Sequence, residues 1–112
     1  MAGTFRKGDV VVIPFPYTDI SKLKTRPVLV VACPTGTNVI VCQITSQTTR
    51  SDEYAIQVNS KDFAKGSLPS SSLVKTNMIM TLDVDTILAK SGTLSSEKIQ
   101  QVEEKLVEVF TS

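Results

Sequence analysis

Two residue types near the first third of the chain could work together on a phosphate. Arg26 opens the segment RPVLVVACPTGTNVIVCQITSQ, and Thr45, Ser46 and Gln47 close it. Arginine presents a planar fork of donors that matches phosphate oxygens, and threonine adds a hydroxyl that both donates and accepts. The segment has two β-branched apolar runs around the turn-prone Pro34-Thr35-Gly36-Thr37-Asn38, the pattern of a β-hairpin. In a hairpin, residues equally far from the turn face each other. With residues 34–38 as the loop, Arg26 faces Ser46; with a loop one residue shorter, it faces Thr45. Either register gathers a cation, a hydroxyl and an amide at one end of a stiff ribbon, although a slip of one residue exchanges the faces of the side chains. The same spacing also fits an ordinary surface arginine at a strand start and a hydroxyl at a sheet end.

The chain lacks histidine altogether. That removes the usual neutral-pH general base, Ser-His-Asp and Cys-His nucleophiles and histidine-bearing zinc sites. The two cysteines are too few for a structural zinc site, and the five scattered glycines form no phosphate loop. No cofactor is expected. An enzyme built from this chain works with Arg, Lys, Ser, Thr, Tyr, Asp or Glu. Net charge is +1, so nucleic-acid binding needs a local patch. Lys22, Lys24 and Arg26 supply a cluster within a polar loop, residues 17–25, and Lys75 is a further cation; solubility alone explains these lysines equally well. Cys33 and Cys42, about three rungs apart in the hairpin, read as reduced core thiols. The polar, charged start suggests no signal peptide, and no apolar run reaches the ~20 residues of a membrane span. A cytoplasmic location follows.

The elements that must hold these residues are short. The 112 residues make one domain, 1–112. Val10–Ile13 is a continuous apolar strand ended by Pro14-Phe15-Pro16. After the hairpin, residues 53–58 alternate as a half-buried strand and 59–63 form a helical turn or connector. Residues 65–71 read as a loop, and 72–82 as two short strands or one bent one. Residues 83–90 fit a short helix capped by Asp83. Ser95 to Phe110 is an amphipathic helix with Ile99, Val102, Leu106, Val109 and Phe110 on one stripe. The sum is α+β, mostly β: a small, curled antiparallel sheet or barrel of five or six strands, with a C-terminal helix covering one side.

Four blocks, GDVVVIPFP at 8–16, RPVLVV at 26–31, QITSQ at 43–47 and SLVKTNMIMTLD at 72–83, followed by Gly92-Thr93-Leu94 and the last helix, resemble the PemK/MazF toxin family in order and interval. The resemblance spans about residues 5–110. It implies an SH3-like barrel, a homodimer, and a metal-independent endoribonuclease that cuts single-stranded RNA. It also implies a cognate antitoxin whose extended tail fills the RNA groove; DNA binding as part of the antitoxin complex is left open by the sequence. By the same resemblance the catalytic arginine is Arg26 and the catalytic hydroxyl Thr45, the loop over the RNA site is 16–25, and Ser72 belongs to the site. Lys22, Lys24, Thr25, Ser46, Gln47, Ser72 and Lys75 are then expected to contact RNA. Ser21-Lys22-Leu23-Lys24-Thr25 departs from the Gly-rich acidic segment common before that arginine, which bears on sequence preference. Without metal or histidine the simplest chemistry is attack by the ribose 2′-hydroxyl, leaving a 2′,3′-cyclic phosphate. Asp19 and Tyr17 are loop candidates for the base, and neither is assigned. A non-catalytic binder, or a gyrase-inhibiting toxin of the same fold, is the alternative.

Overall fold

The computed structural model describes residues 5–14, 24–46 and 52–112. Seven antiparallel strands form one curled half-barrel sheet: β1 (Asp9–Pro14), β2 (Thr25–Ala32), β3 (Asn38–Thr45), β4 (Ala55–Val58), β5 (Phe63–Gly66), β6 (Ser72–Asp83) and β7 (Ala89–Leu94). Helix α1 (Ser96–Phe110) follows. The order across the sheet is β4-β6-β3-β2-β1-β7-β5, so β1, β2 and β3 lie centrally and the two four-residue strands form the edges.

The central strands are apolar on both sides because both sides are covered. Val10, Leu29, Cys42, Ile44, Val74 and Leu94 join one cluster, against which α1 sets Val102, Ile99 and Leu106. Val11, Ile13, Val28, Val30, Val39 and Val41 form a second cluster, covered by Phe5, Met80, Leu82, Val84 and Ile87. The Ser95 hydroxyl accepts from Lys98 N–H and caps α1. A short 3₁₀ turn, Ser60–Asp62, ties to this helix start: Ser95 N–H donates to the Asp62 carbonyl at 2.8 Å.

Several expectations change. Residues 63–66 are a strand within the stretch read as turn and loop, since β5 pairs with β7. Residues 83–90 do not make a helix: Asp83 caps only one 3₁₀ turn, Val84–Thr86, and the chain then enters β7. Residues 72–83 form one strand, irregular where three residues of β6 bulge between Lys75 and Ile79. Cys33 is exposed, not core, because it lies in the hairpin loop; Cys42 is fully buried, and both are free. Phe110 leaves the helix stripe and is 73% exposed, as the last turn of α1 runs past the sheet.

Candidate active site

The hairpin settles its register by a bulge. Near the turn Ala32 pairs with Ile40, but Val30 pairs with Val41, so one extra residue of β2, Val31, is taken up between them. Outward of that bulge the register runs Leu29 with Cys42 and Val28 with Gln43. Carried two residues further, it sets Arg26 against Thr45. Directly opposed residues share a face, with Cβ atoms about 5 Å apart, and this is the face of Val28, Val30 and Val41. On its other side Arg26 opposes Ile13 of β1, and Thr45 opposes Leu73 of β6. Both residues are thus held by central strands at one end of the sheet.

Arg26 and Thr45 line one open cleft of about 650 Å³. Lys24, Thr25, Pro27 and Ser46 continue its β2–β3 side, and Leu68, Pro69, Ser70 and Ser72 make the other. The lining holds two cations and five hydroxyls but no carboxylate among the described residues. Arg26, Lys24 and Thr25 are exposed, while Thr45 is half-buried. Ser72 is nearly buried and its hydroxyl donates to the Ser70 carbonyl at 3.1 Å, which fixes the loop wall. Such an array of donors suits an anion.

Six of the residues picked from sequence therefore meet here: Arg26, Thr45, Lys24, Thr25, Ser46 and Ser72. Lys75 does not line the cleft; its ammonium holds Asp52 at 2.6 Å. Lys22 and Gln47, like Tyr17 and Asp19 and most of the loop 16–25, lie outside the described residues. The wall Leu68-Pro69-Ser70 was not singled out from sequence. The signal for it was there, since Pro69 sits in a Ser-rich stretch leading directly into Ser72. Among the described residues no group of His, Cys, Asp or Glu is arranged to hold a metal. No described helix is long and apolar enough to cross a membrane.

Comparison with known proteins gives one family and one fold. The model of the PemK-like, MazF-like toxin of type II toxin–antitoxin systems matches residues 6–110. A search of curated proteins gives no match. Among solved structures, the Mycobacterium tuberculosis toxin MazF-mt6 is similar at 23% identity and TM-score 0.71, covering 92% of this chain and 96% of its own. An endoribonuclease in complex with its cognate antitoxin, from a mycobacterial species, is similar at 17% identity and TM-score 0.74, covering 94% and 93%. MazF in a MazE–MazF complex from Deinococcus radiodurans is similar at 16% identity and TM-score 0.73, covering 94% of each chain.

Proposed function

The chain belongs to the family of PemK-like, MazF-like toxins of type II toxin–antitoxin systems, and from that premise we propose that it is an endoribonuclease that cuts single-stranded RNA in the Arg26–Thr45 cleft. The carrying observation is the meeting of Arg26 and Thr45 in one cleft, lined by no carboxylate among the described residues, at the end of the central β1–β2–β3 strands. Antitoxin-bound structures of similar proteins support a cognate antitoxin as the natural partner, and the reading includes a homodimer acting in the cytoplasm.

In the proposed reaction the ribose 2′-oxygen bonds to the adjacent phosphorus as the bond to the 5′-oxygen breaks. The 2′-proton passes to a base or water, and the departing 5′-oxygen takes up a proton. The products are a 2′,3′-cyclic phosphate and a 5′-hydroxyl. The chain's task is to hold the hydroxyl in line and to stabilise charge on the phosphoryl oxygens. Arg26 clamps that phosphate and bears the transition-state charge, the planar fork of a guanidinium matching the phosphoryl oxygens. Thr45 donates to a phosphoryl oxygen. Lys24 and Thr25 hold the neighbouring backbone, and Ser46 and Ser72 line the space where unstacked bases are recognised.

The test is cleavage of a mixed-sequence RNA in EDTA. Discrete fragments ending in a cyclic phosphate, lost in Arg26→Ala, are expected. RNA left intact across several substrates overturns the reading and favours a binding toxin, whereas cutting undiminished in Arg26→Ala overturns the assignment of the reaction to the Arg26–Thr45 cleft.

A further inference from the structure

A second groove, of about 600 Å³, opens at the other end of β1. Arg6, Lys7, Lys65 and Lys90 line it against a single carboxylate, Asp9. A chain with 12 cations and 11 carboxylates overall thus concentrates four of the former in one place. Asp9 hardly offsets them. It is 2% exposed, and its carboxylate is taken up by Arg6 N–H at 2.8 Å, the Thr93 hydroxyl at 2.8 Å and Lys90 at 3.5 Å. Lys7 is held by Glu103. The guanidinium of Arg6 and the ammonium of Lys65 have no ion-pair partner among the described residues, and both residues are exposed.

Pairing places the groove and the cleft at opposite ends of β1 on one sheet face, whose middle is filled by the covered Val11 and Ile13 cluster, so a strand joining the two sites runs around that cluster. Lys65 opposes Thr93, Thr93 opposes Asp9, and Lys90 opposes Val11. Asp9, Val11 and Ile13 alternate onto one side of β1, and Ile13 opposes Arg26. Asp9 and Ile13 are four residues apart, ~13 Å at strand rise. A strand that reaches both sites therefore needs at least about four nucleotides at ~3.4 Å each.

We propose that the Arg6–Lys65 groove holds the phosphate backbone of RNA beyond the nucleotides seated in the Arg26–Thr45 cleft. This rests on the nuclease reading above. The groove is a positional clamp and takes no part in bond breaking. It lengthens the footprint on RNA, so the protein favours long single strands over short ones.

The test uses 2′-O-methyl oligonucleotides, which cannot undergo internal attack, of three and twenty nucleotides, with fluorescence anisotropy at several salt concentrations. The R6A/K65A double variant changes two exposed side chains. It should weaken binding of the twenty-mer on the order of tenfold, lower its salt slope by about 1.4, and leave the three-mer, too short to reach both sites, unchanged. Equal loss for both lengths, or none for either, overturns the proposal. So does selective loss of binding to an acidic peptide with twenty-mer affinity intact. Wild-type protein that binds the twenty-mer through Arg6 and Lys65 but cuts no RNA would sink the nuclease reading and leave a phosphate groove standing. Wild-type protein that cuts RNA while the double variant binds both lengths normally would sink the groove alone.

Discussion

Arg26 stands directly opposite Ile13 across the β1–β2 pair. Ile13 is 4% exposed, whereas Arg26 is exposed, so the guanidinium projects from one of the most firmly anchored points of the fold. A charged group whose backbone is held by a central strand costs less to order on an anion than one carried by a free chain end.

Removing that group should therefore change chemistry and little else. Arg26→Ala and Thr45→Ala are each expected to lower RNA cleavage by about 10²–10³. The melting temperature of Arg26→Ala should stay within a few degrees, since exposed substitutions typically cost under ~0.5 kcal/mol, and Thr45→Ala, at a half-buried site, is read against its own melt. Single-turnover cleavage and thermal melting, run side by side, check this. Near-normal cleavage in the arginine variant removes it from the reaction.

Lys75 has a structural duty away from the cleft. Its hydrogen bond to Asp52, followed by the Tyr54 backbone N–H, holds the Asp52 carboxyl below its ordinary value. The carboxylate is lower in pKa folded than unfolded, so the pair contributes fully above pH ~4 and is lost as pH falls further. Asp52→Asn should thus be less stable than wild type at pH 7, with the gap closing toward pH 2. Denaturant melts at both pH values decide it; a gap of constant size contradicts the assignment.

The two thiols should differ in reactivity. Burial pushes Cys42 up to about 11, and no solvent path reaches a fully buried side chain. Cys33 is exposed, with its thiol also raised, first by partial burial and then by Asp9. A disulfide-exchange reagent at pH 8 should titrate one thiol quickly and the second only after unfolding. Two equally fast thiols would contradict the buried placement.

Gly92 tests the β5–β7 edge. A Cβ there would lie 2.4 Å from the Lys65 carbonyl oxygen and 2.9 Å from Phe63, and backbone cannot yield as a flexible side chain does. Gly92→Ala is expected to cost about 1–3 kcal/mol. Phe110→Ser, at a side chain 73% exposed, should fall within about 0.5 kcal/mol of wild type. Thermal unfolding of the pair separates a tight strand crossing from a loose one.

The residues that revealed themselves in sequence did so through pattern. Val10–Ile13, the two hairpin strands and the Ser95-capped helix carry apolar runs or a 3.6-residue stripe that physics reads directly. The strands that escaped notice, Phe63–Gly66 and Ala89–Leu94, are rich in Lys, Ser and Gly. Their strand state comes from a partner distant in the chain, which no local window contains. The same limit applied to the hairpin. Both registers fitted the turn residues, and the choice depended on Val31 being taken up as a bulge against β3. Leu68-Pro69-Ser70 became a cleft wall only because β6 runs back alongside β3. Cys33 looked like core because it ends an apolar run, yet it lies one step beyond the last paired residue of β2.

The sheet finishes on both sides in strands of only four residues, Ala55–Val58 and Phe63–Gly66. Each outer row of amides left without a strand partner among the described residues is therefore brief, and the second carries Lys65 and a closing Gly66. Short, charged borders give a neighbouring molecule little to extend by hydrogen bonding. Such borders work against fibre growth in a protein whose centre is a run of valines and isoleucines.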